Sequence, residues 1–216
     1  MKFGEAFSYV FQDPNWFKKL IIPGLVGLLI PIIGQMVLLG WGLKITLNVI
    51  RNNPNPLPEM SFGEDLARGF KATVVTIVYS LPMLIFYIPI IIISGLAANS
   101  DENNAIIIAL GSTCFGLLMM IYGIAMAYIL PAAYARVAVE DSIGAGLNFG
   151  EVFRLVKKAP MTYLLVLVGV LASSFISSLG SIACGIGIFF TVPYATAILG
   201  NLYGQGYLDA KYNEVN

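Results

Sequence analysis

Val74-Val-Thr-Ile-Val-Tyr-Ser-Leu-Pro-Met-Leu-Ile-Phe-Tyr-Ile-Pro-Ile-Ile-Ile-Ile-Ser-Gly-Leu96 runs for 23 residues without a charged side chain. A helix needs about 20 such residues to cross the hydrocarbon core of a bilayer, and it satisfies its own backbone where water cannot. The polar turn Asn99-Ser-Asp-Glu-Asn-Asn104 follows, and then a second apolar run, Ala105–Leu130. Together they predict a transmembrane hairpin with an aqueous turn. Working outward, Ile21–Ile33 and Gln35–Ile50 precede this hairpin, and Tyr163–Ser174 and Ser181–Leu202 follow it. The sequence therefore predicts an all-α, polytopic membrane protein of six spans arranged as three hairpins. The first is the most compact: Trp16–Ile33 and Gln35–Arg51 barely suffice, and their turn, Pro31-Ile-Ile-Gly34, carries no charge. Such a hairpin stops short of the far surface or sits where the bilayer thins. The third turns within the Ser/Gly-rich stretch Ser177–Gly187.

The twelve Lys and Arg residues give the orientation. Lys2, Lys18 and Lys19 precede the first run; Arg51, Arg68 and Lys71 separate the second from the third. Arg136, Arg154, Lys157 and Lys158 separate the fourth from the fifth, and Lys211 follows the sixth. No Lys or Arg falls in the turns inside the pairs. Short loops that keep Lys and Arg stay cytoplasmic. The expectation is a multi-pass protein of the cell membrane with both termini in the cytoplasm. Met1–Trp16 lacks the apolar core of a signal peptide, so no cleavage is expected.

The composition narrows the chemistry. At 58% hydrophobic and 11% charged, the chain lies far from the roughly 25% charged residues of soluble domains. A net charge of zero gives nucleic acid no reason to bind. With no His and only Cys114 and Cys184, metal sites and His-based catalysis lack their usual groups. No metal, cofactor or enzymatic activity is expected. The two cysteines both fall toward the outer half, where a disulfide is one reading and small buried hydrophobes the other.

A short word recurs. Phe3-Gly-Glu-Ala-Phe7, Phe62-Gly-Glu-Asp-Leu66 and Phe149-Gly-Glu-Val-Phe153 each stand before a hairpin. Eleven residues after the leading Phe comes Pro14 in the first copy and Pro160 in the third, with Thr73 in the middle one. Three copies in register predict an internal duplication. The repeats are 1–52, 61–137 and 148–208, joined by linkers 53–60 and 138–147 and ending in a tail, 209–216, all in one membrane domain. Ser61-Phe-Gly-Glu64 fits a capping box and Asn148-Phe-Gly-Glu151 is a close variant. Asp13-Pro14 reads as a further helix start. Each repeat thus predicts a short interfacial helix before its hairpin, with Phe3, Phe7 and Phe11 on one face. Glu5, Glu64 and Glu151 read as caps first and as ligand contacts second. Asn53-Pro-Asn-Pro-Leu-Pro58 reads as a stiff polyproline-like connector.

Few polar groups remain inside the runs. Lys44 lies seven residues before Arg51, where it can snorkel or, with Asn48 one turn on, hold a lipid phosphate. Pro131 and Pro193 occupy matching places in their hairpins, and carbonyls freed by such breaks can line a binding site. Lys44, Asn48, Pro131 and Pro193 are the candidate lipid or ligand contacts. Pro kinks that merely improve packing are the plainer alternative. Gly24, Gly27, Gly40, Gly42, Gly116, Gly123, Gly185 and Gly187 read as close helix contacts. No Asp or Glu falls within a run, which argues against a proton relay.

The segment Tyr9-Val-Phe-Gln-Asp-Pro-Asn-Trp-Phe-Lys-Lys-Leu20, the turn Ile30-Pro-Ile-Ile-Gly34 and Asn48-Val-Ile-Arg51 resemble the DUF4013 family of prokaryotic membrane proteins. Pro56-Leu-Pro-Glu59 and Leu202-Tyr-Gly-Gln-Gly-Tyr207 fit the same resemblance. It implies an integral membrane protein without an assigned activity, and it supplies no catalytic residues. The expected function is non-enzymatic: binding membrane lipids, another membrane protein or a second copy of itself, as an accessory or assembly subunit. The competing expectation is a transporter or channel for a small uncharged or lipid-like solute.

Overall fold

A computed structural model describes residues 1–97, 102–182 and 186–215, and every regular element among them is helical. The N-terminal segment holds α1 (Glu5–Ser8) and a 3-10 turn (Tyr9–Gln12). It is followed by α2 (Trp16–Leu29), α3 (Ile33–Ile50), α4 (Phe62–Ala97) and α5 (Glu102–Glu140). The remainder is α6 (Ile143–Leu147), α7 (Phe149–Lys158), α8 (Pro160–Ile182) and α9 (Ile188–Val215). The class is all-α, as the apolar runs predict.

Among the described residues four helical segments are long and apolar enough to cross a membrane: Ile33–Ile50, Phe62–Ile93, Ile108–Glu140 and Pro160–Ser181. With 14 residues, α2 spans only about 21 Å. The second half of α9 carries Asp209, Lys211 and Glu214. Residues 98–101 of the second turn, Gly185 and Cys184, with the pairing considered for it, lie outside the described residues; Cys114 is exposed.

Helix boundaries follow local chemistry. At the end of α3, Arg51 is the cap and Asn52 turns into the left-handed region at φ 52°. The Asn53 amide then donates to Asn48 O and the Asn52 amide to Val49 O, each at 3.0 Å. This is a Schellman ending, with Asn in the place glycine usually takes, and Pro54 prevents further helix. Pro31 and Ile33 close the tip between α2 and α3 through a 2.7 Å bond from the Ile33 amide to Pro31 O. That bond forces Ile32 to φ 63°, ψ −63°, a strained γ-turn.

The three Phe-Gly-Glu words have three different outcomes. In the third copy Asn148 Oδ1 accepts from the Glu151 amide at 3.3 Å, and α7 is a separate helix that ends just before Pro160. The middle copy has no separate helix, contrary to expectation. Phe62 begins α4, which continues unbroken for 36 residues. Thr73 keeps the amide that proline lacks and does not restrict the residue before it. Its hydroxyl instead donates to Gly69 O at 2.8 Å. The capping box also differs: Asp65, not Glu64, reaches back to the Ser61 amide at 2.7 Å. In the first copy the word yields only four α-helical residues without a side-chain cap. That segment is held to α9 instead, through Tyr9 Oη to Ala197 O at 2.9 Å and Tyr194 Oη to Phe7 O at 2.6 Å.

The chain divides into two compact units, Met1–Val75 with Tyr128–Asn216, and Thr76–Ala127. In the first, α9 is the hub and packs on α2, α3, α7 and α8. Trp41, Leu43, Ile45, Tyr163, Ile198 and Leu202 are its largest fully buried side chains, with Leu20 and Leu57. Glycines let the backbones meet. A Cβ on Gly40 would overlap the Asp65 carbonyl oxygen, and one on Gly69 would overlap that of Met36. A Cβ on Gly200 would collide with Gly42 O, and Thr46 Oγ1 donates across the same crossing to Gly200 O at 2.9 Å. Gly24 and Gly27 are likewise at contacts, whereas Gly116 and Gly123 have open space around them. In the second unit Tyr122 Oη donates to Tyr79 O at 2.6 Å, and its ring lies 6.3 Å from that of Phe86.

Alanine substitution separates these cases. Gly40→Ala and Gly69→Ala should each lower stability by about 2 kcal/mol or more, because overpacking must push backbones apart. Gly123→Ala should be neutral or stabilising by up to roughly 1 kcal/mol from helix propensity alone. Unfolding of each variant in detergent, followed by circular dichroism, checks the contrast; equal losses at Gly40 and Gly123 would refute the crossing.

Candidate functional site

The linker Asn53–Met60 forms no helix or strand, so its carbonyls need donors from elsewhere. Four consecutive carbonyls find them. Asn48 Nδ2 donates to Pro56 O at 3.3 Å and Lys19 Nζ to Leu57 O at 2.8 Å. Trp41 Nε1 donates to Pro58 O at 3.0 Å and Lys44 Nζ to Glu59 O at 3.1 Å. Trp41, Lys44 and Asn48 stand at i, i+3 and i+7, on one face of α3. After the Schellman ending the chain therefore doubles back along the helix it has just left. Leu57, 1% exposed, inserts among Tyr9, Val10, Leu20, Leu38, Trp41 and Ile45.

Asp13 anchors the same strap from the other side. Its Oδ2 lies 2.6 Å from Lys19 Nζ, with the two side chains only 3% and 10% exposed. Its Oδ1 accepts from the Asn15 amide at 2.8 Å. Burial alone pushes the Asp13 carboxyl up, but hydrogen bonds from Lys19, the Asn15 amide and Asn55, with the Lys19 charge, bring it below its ordinary value. Asp13-Pro-Asn-Trp16 thus serves as a clamp for α2 and the linker, while α2 itself starts at Trp16 with Asn15, not Asp13, at its N-cap.

Beside the strap is a cleft of about 730 Å³ between the N-terminal segment, the end of α3 and α9. Gln12, Asn52, Asn53, Asn55, Asn201 and Gln205 contribute amides to its wall. Its carboxylates are already matched: Glu5 with Lys2 at 3.1 Å, Asp13 with Lys19, and Asp209 with the Met1 amino group at 3.1 Å. Gln205 bonds both the Lys2 amide, at 2.6 Å, and Asn201, at 2.6 Å. The wall therefore offers neutral hydrogen-bonding groups around neutralised ion pairs.

The four sequence candidates are not brought together. Lys44 and Asn48 are neighbours on α3, but the strap engages both; Lys44 also meets Ser61 Oγ at 3.1 Å and Glu64 at 3.9 Å. Pro131 is buried within α5. Pro193 is buried in α9, and the Phe189 carbonyl four residues before it faces Gly24, where a Cβ would overlap it. That break serves the α2–α9 contact. The repeated glutamates meet cations: Glu5 meets Lys2, Glu64 meets Lys44, and Glu151 meets Arg136 at 3.3 Å and Arg154 at 2.6 Å. Sequence reasoning passed over Lys19 and Trp41. The signal for Trp41 was a row of long donors on α3 followed by a proline-rich segment rich in unbonded carbonyls; Lys19, on α2, had no such local sign.

Fold and site define a protein that is all-helical in its described residues, with four segments among them long and apolar enough to cross a membrane and a polar strap closing its first helix pair. The model of the family described as "Protein of unknown function (DUF4013)" matches residues 24–186, about three quarters of the chain, and the chain belongs to that family. The Asp13 clamp and the Leu202–Tyr207 segment lie outside the matched range. No curated protein and no solved structure matches the chain.

The clamp has a defined acid response. A carboxyl held below its ordinary value of 3.8 contributes its full stability above that value and loses it as pH falls through the lower native one. Wild-type stability should therefore drop below about pH 4. Asp13→Asn should already have lost about 3 kcal/mol at neutral pH, because Lys19 is left buried and unpaired. Chemical unfolding of both proteins across pH 3–7 checks this; an Asp13→Asn variant as stable as wild type at pH 7 would contradict the clamp.

Proposed function

We propose that the chain is a six-span, three-hairpin protein of the prokaryotic cell membrane, with both termini cytoplasmic. It acts without catalysis, by holding lipid or another membrane protein as an accessory or assembly subunit. The observation that carries this reading is the unit Thr76–Ala127. The apolar windows of its two helices are 6% and 0% buried, and Ile85 is 69% and Ile121 60% exposed. A surface this apolar needs a non-aqueous neighbour. In a bilayer that neighbour is lipid or another apolar protein. α2 and α9, too short or too polar by themselves, complete their hairpins by packing on α3 and α8. Amphipathic α7 lies in the interface.

The transporter reading needs helix breaks that line a path. At Pro193 the freed carbonyl instead faces Gly24, and Lys44 is engaged by the linker. Both observations favour the binding role.

A photo-crosslinking residue at Ile85, compared with one at buried Val37, tests the role in intact membranes. Lipid adducts or a discrete protein adduct are expected at Ile85 and neither at Val37. Solute flux through reconstituted protein that Pro193→Ala abolishes, with no adduct at Ile85, would overturn it. Orientation is checked separately with single cysteines in a background lacking Cys114 and Cys184. A thiol at Asn103 should react from outside the cell, and thiols at exposed Asn55 and Ser142 only after permeabilisation. Outside labelling at either linker would invert or break the three-hairpin arrangement.

A further inference from the structure

We propose that the corner between α7 and α8 is a seat for an anionic phospholipid, its phosphate on Lys157 and Lys158 and an acyl chain along α8. This rests on the reading that α8 lies in a membrane.

Three observations meet there. First, α7 buries Val152, Leu155 and Val156 and turns Phe153, Arg154, Lys157 and Lys158 outward. With Gly150, these four line a groove of about 570 Å³. Second, the cations are not equivalent. Arg154 is bridged to Glu151 at 2.6 Å and to Glu214 at 3.0 Å. No described carboxylate lies within ion-pair distance of Lys157 or Lys158; Lys158 feels Glu214 only at longer range. The polar backbone of the corner is already satisfied: Asn213 Nδ2 donates to Lys158 O at 3.1 Å and Tyr128 Oη to Pro160 O at 3.0 Å. The lysine ammonium groups remain as hydrogen-bonding capacity, beside the half-exposed Arg154. Third, three residues past Lys158 the first turn of α8 begins an apolar lane. Met161, Leu164, Val168, Leu171, Phe175 and Leu179 are all exposed and recur at three- and four-residue intervals, one face of α8.

A charged head above an apolar lane matches a phospholipid. A soluble anion would use the lysines but leave the lane empty. A neutral phospholipid would fill the lane but bring a compensating positive charge to the lysines. The complementary ligand carries net negative charge and an acyl chain together. Phe153, on the groove wall, adds apolar surface beside the cations, and basic side chains near an anionic leaflet gain from its surface potential.

The test uses the full chain in detergent, with phosphatidylglycerol and phosphatidylcholine of identical acyl chains supplied in equal amounts. Native mass spectrometry counts the adducts. Wild type should retain phosphatidylglycerol roughly 10- to 30-fold in excess, the combined effect of two lysines. Lys157→Ala with Lys158→Ala should abolish the preference, and Lys157→Arg with Lys158→Arg should keep it. Preference that survives the double alanine variant refutes the seat, as does displacement of the lipid by equimolar inorganic phosphate. A photo-crosslinker at Phe175 in mixed bilayers distinguishes the parent reading. Acyl adducts from both lipids without headgroup preference would leave α8 in the membrane and remove only the seat. No lipid adduct at all would remove the membrane reading itself.

Discussion

An extended segment laid against helices cannot satisfy its own carbonyls, and that constraint organises one end of this molecule. Leaving a buried carbonyl unpaired costs on the order of 1–3 kcal/mol. The linker after α3 presents four in a row at Pro56, Leu57, Pro58 and Glu59, and each accepts from a side chain of α2 or α3. The proline residues keep the segment extended, and Leu57 gives it an apolar anchor. Lys19 joins the two halves of the arrangement, because the same ammonium group holds Leu57 O and the buried Asp13 carboxylate. Asp13 must then stay ionised, which it does through the bonds that outweigh its burial.

Close backbone contacts extend that order into the rest of the unit. α3 meets α4 through Gly40 and Gly69, and it meets α9 through Gly42 and Gly200. A helix that presents glycine on two sides can have neighbours on both and still offer Trp41, Lys44 and Asn48 to the strap. The proline of α9 belongs to the same scheme: the carbonyl it frees faces Gly24 of α2, which has no side chain to oppose it. Of the polar and irregular candidates, Lys44 and Asn48 engage the linker and the Pro193 break meets α2.

Much of the fold was legible in the sequence, because long apolar runs, Asn caps and prolines act locally. The α7 cap at Asn148 and the helix breaks at the first and third Phe-Gly-Glu copies follow from residues within a dozen positions. The middle copy was harder. Only the exchange of proline for Thr73 announced that α4 would run through, and only the structure shows Asp65 rather than Glu64 closing on Ser61. Lys44 and Asn48 were visible as polar residues in an apolar helix, but their partners lie 15 and 8 residues away in a linker that looked like a mere spacer. Side-chain-to-backbone bonds across such a reversal leave no periodic trace. The glycines show the same limit: Gly40 and Gly123 look alike in sequence, and only the approach of a second backbone distinguishes them.

Spin-label mobility on the linker reports most directly on whether those four donors hold it. A nitroxide at Glu59, whose side chain is exposed while its carbonyl is held by Lys44, follows the motion of the backbone beneath it. With the strap bound, its spectrum should be that of an ordered site in wild type and should become mobile in Lys19→Met. A label equally mobile in both proteins, or equally ordered in both, would contradict the account.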